Sequence, residues 1–116
     1  MTIELPVSVS PDAACCATVT GGALEVDQAE SLARVFKALG DPTRVRLLSL
    51  IAASDGGEAC ICDLTDPVGL TQPTVSHHMS KLVAAGLATR EQRGKWAYYR
   101  IVPEALDSTA RSLLSS

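Results

Sequence analysis

The chain has 116 residues, 47% hydrophobic and only 3% aromatic, with a formal net charge of −3. That length holds one domain around one core, built mostly from Leu, Val, Ile and Ala. No run approaches the roughly 18 consecutive apolar residues of a membrane span, and the N-terminus lacks a basic stretch followed by an apolar one. Neither a membrane partner nor a signal peptide is expected, and the location expected is cytoplasmic.

In that compartment the four cysteines point to metal ligands or redox groups rather than a disulfide framework. The net charge argues against nucleic-acid binding, but its distribution reverses that reading. Residues 1–70 carry ten acids against four bases, whereas residues 71–102 carry five bases (Lys81, Arg90, Arg93, Lys95, Arg100) against Glu91 alone. A local basic surface matters more for a DNA footprint than the total does.

Residues 1–24 hold Pro6, Pro11, Gly21, Gly22 and the pair Cys15-Cys16, without sustained periodicity, and are expected to form a flexible arm. Residues 25–116 are expected to form a single domain. Asp27-Gln28-Ala29-Glu30 resembles a capping box. Leu32, Val35, Phe36 and Leu39 then recur on one helical face, ended by Gly40. Asp41-Pro42 starts a second helix, with Asp as N-cap and Pro in the first helical position. Its Val45, Leu47, Leu48, Leu50 and Ile51 make it the expected core helix, and Ser54-Asp55-Gly56-Gly57 stops it.

Cys60 to Asp66 reads as a short helix closed by Pro67 and Gly69. Thr71 caps a longer one whose Val75, Met79 and Leu82 face the core, ending at Gly86. Two short helices around a Gly-containing turn form a helix-turn-helix pattern. Ala88–Gln92 and Trp96–Ile101 then read as strands joined by Arg93-Gly94-Lys95, a hairpin with a basic tip. A last helix opens at Pro103-Glu104, with Leu106, Ala110, Leu113 and Leu114 on one side. The expected fold is mostly α with a β-hairpin, a winged helix-turn-helix.

The second helix of the pair presents a polar outward side for double-stranded DNA: Gln72, Thr74, Ser76, His77, Ser80 and Lys81. A Gln amide can pair bidentately with adenine, and Ser or Thr with several bases. His78 lies nearer the apolar stripe and is read as packed. Arg90, Arg93 and Lys95 on the hairpin are expected to contact phosphate, which adds affinity but little sequence information. Leu32, Val35, Phe36, Leu106, Ala110 and Leu113 are assigned to a homodimer interface, since such modules generally read two half-sites.

The chain resembles the ArsR/SmtB family of bacterial metal-responsive repressors over roughly residues 27–115. The resemblance is carried by Phe36-Lys37-Ala38-Leu39-Gly40-Asp41-Pro42-Thr43-Arg44-Val45-Arg46-Leu47-Leu48 and Glu58-Ala59-Cys60-Ile61-Cys62-Asp63-Leu64. It continues in Gln72-Pro73-Thr74-Val75-Ser76-His77-His78-Met79 and in Gly86-Leu87 leading to Arg93-Gly94-Lys95-Trp96-Ala97-Tyr98-Tyr99. It implies a homodimer that represses a resistance or efflux operon and leaves DNA when its effector binds. The Cys-x-Cys-Asp segment is similar to that of arsenite-sensing and cadmium/lead-sensing members. In the latter, arm cysteines complete the site across the dimer. The arsenic pattern with a third Cys three residues after the second is not met, because that position is Thr65. The family's Asp/His site on the last helix has no counterpart, because residues 103–116 contain no His.

Thiolates suit soft and borderline ions, and As(III) takes three of them in a pyramid. In an ideal helix Cys60 and Cys62 point about 200° apart, so they converge on one ion only if Cys60 lies at or before the helix start. The remaining ligand is expected from Cys15 or Cys16, which point to opposite faces of an extended segment. The leading expectation is a repressor released by As(III), and also by Sb(III). Release by Cd(II) or Pb(II), or by a disulfide between Cys15 or Cys16 and Cys60 or Cys62, are the alternatives. A thiol enzyme is disfavoured by the lack of Cys-x-x-Cys and of a βαβ pattern, and a structural zinc module is unneeded by such apolar helices.

Overall fold

The computed structural model describes residues 22–114. The arm cysteines Cys15 and Cys16 lie outside them. The described residues form five helices and three strands, in chain order. They are α1 (Val26–Leu39), α2 (Pro42–Ala53), β1 (Glu58–Cys60), α3 (Ile61–Val68), α4 (Gln72–Ala84), β2 (Ala88–Arg93), β3 (Trp96–Ile101) and α5 (Pro103–Leu114).

The α1 start differs from the expected one. Glu25 is the N-cap, and its backbone N–H donates to Gln28 Oε1 at 2.9 Å. Asp27 already sits inside the first turn, where its carboxylate faces the helix's positive end. At α2 the expectation holds: Asp41 Oδ1 accepts from Thr43 N at 2.8 Å and Arg44 N at 3.4 Å. Leu47, Leu48 and Ile51 bury the core side of α2, while Val45 faces outward.

After α2 the chain reverses through a short 3-10 turn at Asp55–Gly57, where Gly56 and Gly57 both have φ of 68°. Two consecutive residues in the left-handed region are tolerable only without Cβ atoms. The reversal delivers β1 to the sheet, whose order is β1-β3-β2 and whose pairings are all antiparallel. β1 is the element that the sequence did not announce: the expected two-stranded hairpin is a three-stranded sheet, and its third strand ends at Cys60.

α3 begins one residue later than expected and runs two residues further. Pro67 is accommodated in its last turn, and Gly69 closes it with a left-handed φ of 69°. Arg46 of α2 holds that end, donating to Pro67 O at 2.8 Å. Val75, Met79 and Leu82 of α4 are fully buried, as expected, and pack with Leu47, Ile51, Leu64, Leu87 and Tyr99. No helix among the described residues is long and apolar enough to cross a membrane.

α1 and α5 are less finished. Only Ala38 of α1 and Thr109 of α5 are buried. Leu32, Val35 and Leu106 are half-buried, Ala110 is exposed, and Phe36 and Leu113 remain 46% and 53% exposed. Phe36, Leu39, Leu106, Ala110 and Leu113 line one almost entirely apolar groove between the two helices.

Candidate nucleic-acid interface and thiol pair

α3 and α4 are joined by the three residues Gly69, Leu70 and Thr71, and α4 turns its polar side outward. Gln72, Thr74, His77, Ser80 and Lys81 are exposed, and Ser76 is half-buried. The Thr71 and Thr74 hydroxyls pair at 3.0 Å across the first turn. Ser80 Oγ donates to His77 O at 2.6 Å, leaving its lone pairs outward. His78 is half-buried with Nδ1 3.3 Å from Arg44 Nη1, and so is a packing residue, as read from its place beside the apolar stripe.

Strand alternation sorts the hairpin's charges. Arg90 and Gln92 share a side of β2 that faces α4. With Gln72, Ser76 and Lys95 they line an open groove of about 470 Å³. Arg90 Nη2 donates to Gln92 Oε1 at 2.6 Å, and Gln92 Nε2 to Gly94 O at 3.0 Å, so the tip is internally tied.

Arg93, expected to contact phosphate, is paired within the chain. It alternates to the opposite side of β2, where it is bound to the Glu58 carboxylate through both terminal nitrogens. It also donates to Glu91 Oε1, at 2.7 Å from Nη2, and its guanidinium lies 4.4 Å from the centre of the Tyr98 ring. Arg100 Nη2 is 3.3 Å from the same Glu58 carboxylate, and Arg100 Nη1 donates to Gly56 O at 2.9 Å. The Arg93 hydrogen bonds hold the Glu58 carboxyl below its ordinary range against partial desolvation, with the Arg93 and Arg100 charges adding to the effect. Glu58 escaped the sequence reading because its partners are 35 and 42 residues away. Its only sequence signal is its position two residues before a cysteine.

The thiols meet where the geometry requires. Cys60 is extended, with φ −72° and ψ 144°, and is the N-cap of α3. Its Sγ accepts from Cys62 N at 3.2 Å. Leaving the helix before its first turn brings the two Sγ atoms together, and the structure joins them as a disulfide with Cα atoms 5.1 Å apart. The redox expectation paired Cys60 or Cys62 with Cys15 or Cys16, which lie outside the described residues. Cys60 is only 3% exposed and Cys62 is exposed. Reduced to thiolates, two soft donors held this close together fit a thiophilic ion. Among the described residues, no group of three or more His, Cys, Asp or Glu could hold a metal ion.

Residues 41–90, from the α2 cap through both helices of the helix-turn-helix into β2, match the bacterial regulatory protein, arsR family. The arsenical resistance operon repressor of Staphylococcus xylosus is 37% identical over 84 residues, covering 72% of this chain and 78% of that protein. The chain belongs to the ArsR family. Members of the ArsR family are transcriptional regulators, and this chain is one rather than an enzyme.

Solved structures agree on the fold. The homodimeric winged helix-turn-helix DNA-binding domain from Mycobacterium bovis superposes with a TM-score of 0.62 at 27% identity, covering 76% of this chain and 83% of that one. The antimony-specific transcriptional repressor AntR superposes with a TM-score of 0.63 at 29% identity, covering 76% and 78%. In this ArsR-family chain the winged helix-turn-helix is therefore α3, α4 and the β2–β3 hairpin, with the thiol pair at the start of its first helix.

Proposed function

We propose that this protein is a cytoplasmic homodimeric repressor that binds operator DNA and releases it when As(III), or Sb(III), is held by cysteine thiolates. The observation that carries this reading is the place of Cys60. Its sulfur lies beside that of Cys62 and at the same time caps the first helix of the DNA-reading pair. Any ligand drawn to both sulfurs acts directly on the start of α3.

Cys60 and Cys62 supply two ligands. The third comes from Cys15 or Cys16, of the same subunit or of its partner. Gln72, Thr74, Ser76, His77, Ser80 and Lys81 meet the bases and their flanks, and Arg90 and Lys95 meet phosphate. The apolar groove between α1 and α5 is covered by the second subunit, which sets two α4 helices for two half-sites. The arsenical repressor of Staphylococcus xylosus, the antimony-specific AntR and the homodimeric Mycobacterium bovis domain support effector class and assembly by likeness. Shifting DNA occupancy from about 99:1 to 1:99 takes about 10⁴-fold preference for the released state, or about 5.5 kcal/mol. Several thiolate bonds are of a strength to supply it.

The test is a titration of reduced, ion-free protein on its promoter DNA with As(III), Sb(III), Cd(II), Pb(II) and Zn(II), read by fluorescence anisotropy, beside Cys60→Ser and Cys62→Ser. Release by As(III) at the lowest dose, lost in both variants, is expected. Release by Cd(II) or Pb(II) alone would replace the effector. The disulfide between Cys60 and Cys62 favours one further reading, release on oxidation. Under that reading a peroxide or disulfide oxidant frees DNA from ion-free protein and dithiothreitol restores binding.

A further inference from the structure

We propose that Glu58 is the positioning residue that couples the thiol pair to the wing. This rests on the reading above, in which Cys60 and Cys62 take the effector. Beyond that reading, it assigns the route by which the hairpin learns that the site is occupied.

β1 has three residues and pairs only with β3: Glu58 opposite Arg100, Ala59 opposite Tyr99, and Cys60 opposite Tyr98. Residues i and i+2 of a strand share a face, so Glu58 and Cys60 lie on one side of the sheet with Arg100 and Tyr98. In β2, Glu91 is opposite Tyr98 and Arg93 opposite Trp96, which places both on that same side. Arg93 thus reaches back from the hairpin tip across the Tyr98 ring to Glu58. One short strand carries the soft ligand at one end and the anchor of the wing at the other.

The geometry suits transmission. A guanidinium held through two nitrogens by one carboxylate fixes direction as well as distance. Arg93 is held by Glu58, Glu91 and the Tyr98 face together, so a shift or twist of β1 is imposed on the tip rather than absorbed. Cys60 is buried where β1 passes into α3, so a ligand that gains its sulfur acts on that junction. The side of β2 facing α4 bears Arg90, and Lys95 of the turn lines the same groove, the two groups that meet phosphate in the proposed function. Moving the braced side of the hairpin moves these with it.

Glu58→Gln keeps the shape of the side chain and removes its charge, and Arg93→Lys keeps the charge and removes the fork. Both variants and the parent are studied as reduced full-length protein with As(III) as the probe. Three quantities are read: As(III) affinity from thiolate-to-arsenic absorption, operator affinity without and with saturating As(III), and emission of Trp96, the only tryptophan. Trp96 is opposite Arg93 and 38% exposed, so its emission reports the wing without DNA.

As(III) affinity should stay within about twofold of the parent in both variants. The ratio of operator affinities without and with As(III) should fall by about tenfold, and the Trp96 response to As(III) should shrink. The double variant should lose no more coupling than either single one, because the two residues act as one link. Parent-like coupling and a parent-like Trp96 response in Glu58→Gln and Arg93→Lys would overturn the assignment. A parent whose operator binding ignores As(III) would overturn the underlying reading and this inference together, and that failure would be visible before any variant is made.

Discussion

His78 Nδ1 of α4 lies 3.3 Å from Arg44 Nη1 of α2, and Arg44 Nε donates onward to Ala38 O of α1 at 2.6 Å. Three helices thus meet at one guanidinium, and the ring of His78 accepts through Nδ1 when Nε2 carries the proton. His78→Ala removes this acceptor from a half-buried donor and should cost about 1 kcal/mol of stability. His77→Ala, one residue away and exposed, should change stability by less than about 0.5 kcal/mol while weakening operator binding. Urea unfolding and anisotropy on the same two variants separate the roles. Equal stability losses would contradict the assignment.

Asp41 caps α2 and should be worth about 1 kcal/mol in urea unfolding of Asp41→Ala. Partial desolvation raises its pKa, but the Thr43 and Arg44 backbone N–H groups and the nearby His78 and Arg44 charges outweigh it and leave the carboxyl below its ordinary 3.8. Glu58 is likewise depressed below its ordinary 4.5. A carboxylate with a lowered folded pKa stabilises fully above its ordinary value and loses that contribution as pH falls through the folded one. Stability should therefore drop as pH falls from about 4.5. Asp41→Asn and Glu58→Gln should each flatten that drop in denaturant midpoints measured against pH.

Phe36 and Leu113 line the same groove yet remain about half exposed within one subunit. Phe36→Asp or Leu113→Asp should shift the protein from dimer to monomer in analytical ultracentrifugation at micromolar concentration. Operator affinity should fall with it, because one module reads only one half-site. A variant that stays dimeric would move the interface elsewhere.

Base-reading and phosphate-binding residues should respond differently to salt. Arg90→Ala and Lys95→Ala should each lower the slope of log affinity against log salt by about 0.9, with sequence preference retained. Gln72→Ala should leave the slope unchanged and cost about 1–3 kcal/mol of discrimination at one base pair. Anisotropy on matched operator and substituted duplexes across a potassium chloride series measures both.

What could be read from the sequence depended on the range of the physical signal. The α4 stripe of Val75, Met79 and Leu82 was legible because three or four residues of spacing define a helical face, and all three are buried. Asp41-Pro42 was legible because capping is local. Helix geometry alone set the condition for Cys60 and Cys62 to converge, with Cys60 at or before the helix start, and Cys60 is the N-cap. β1 was not legible, since three residues are too few to show an alternation and its partner strand comes 38 residues later, at Tyr98 for Cys60. The pairing of Arg93 was hidden for the same reason: composition marked it as basic, and only the folded sheet brings Glu58 to it. The α1 cap was misplaced by two residues because Glu25 and Asp27 offer competing carboxylates.

The sulfur of Cys60 serves as a hydrogen-bond acceptor for the helix that follows it. Cysteine is an unusual choice at an N-cap, where a serine hydroxyl does the same work better. A serine there should leave α3 at least as firmly started as in the parent, so the deaf regulator should also be the sturdier one. If the thiol pair takes the proposed effector, responsiveness comes at the cost of a weaker helix start, and a lineage no longer meeting that effector should drift toward serine at position 60.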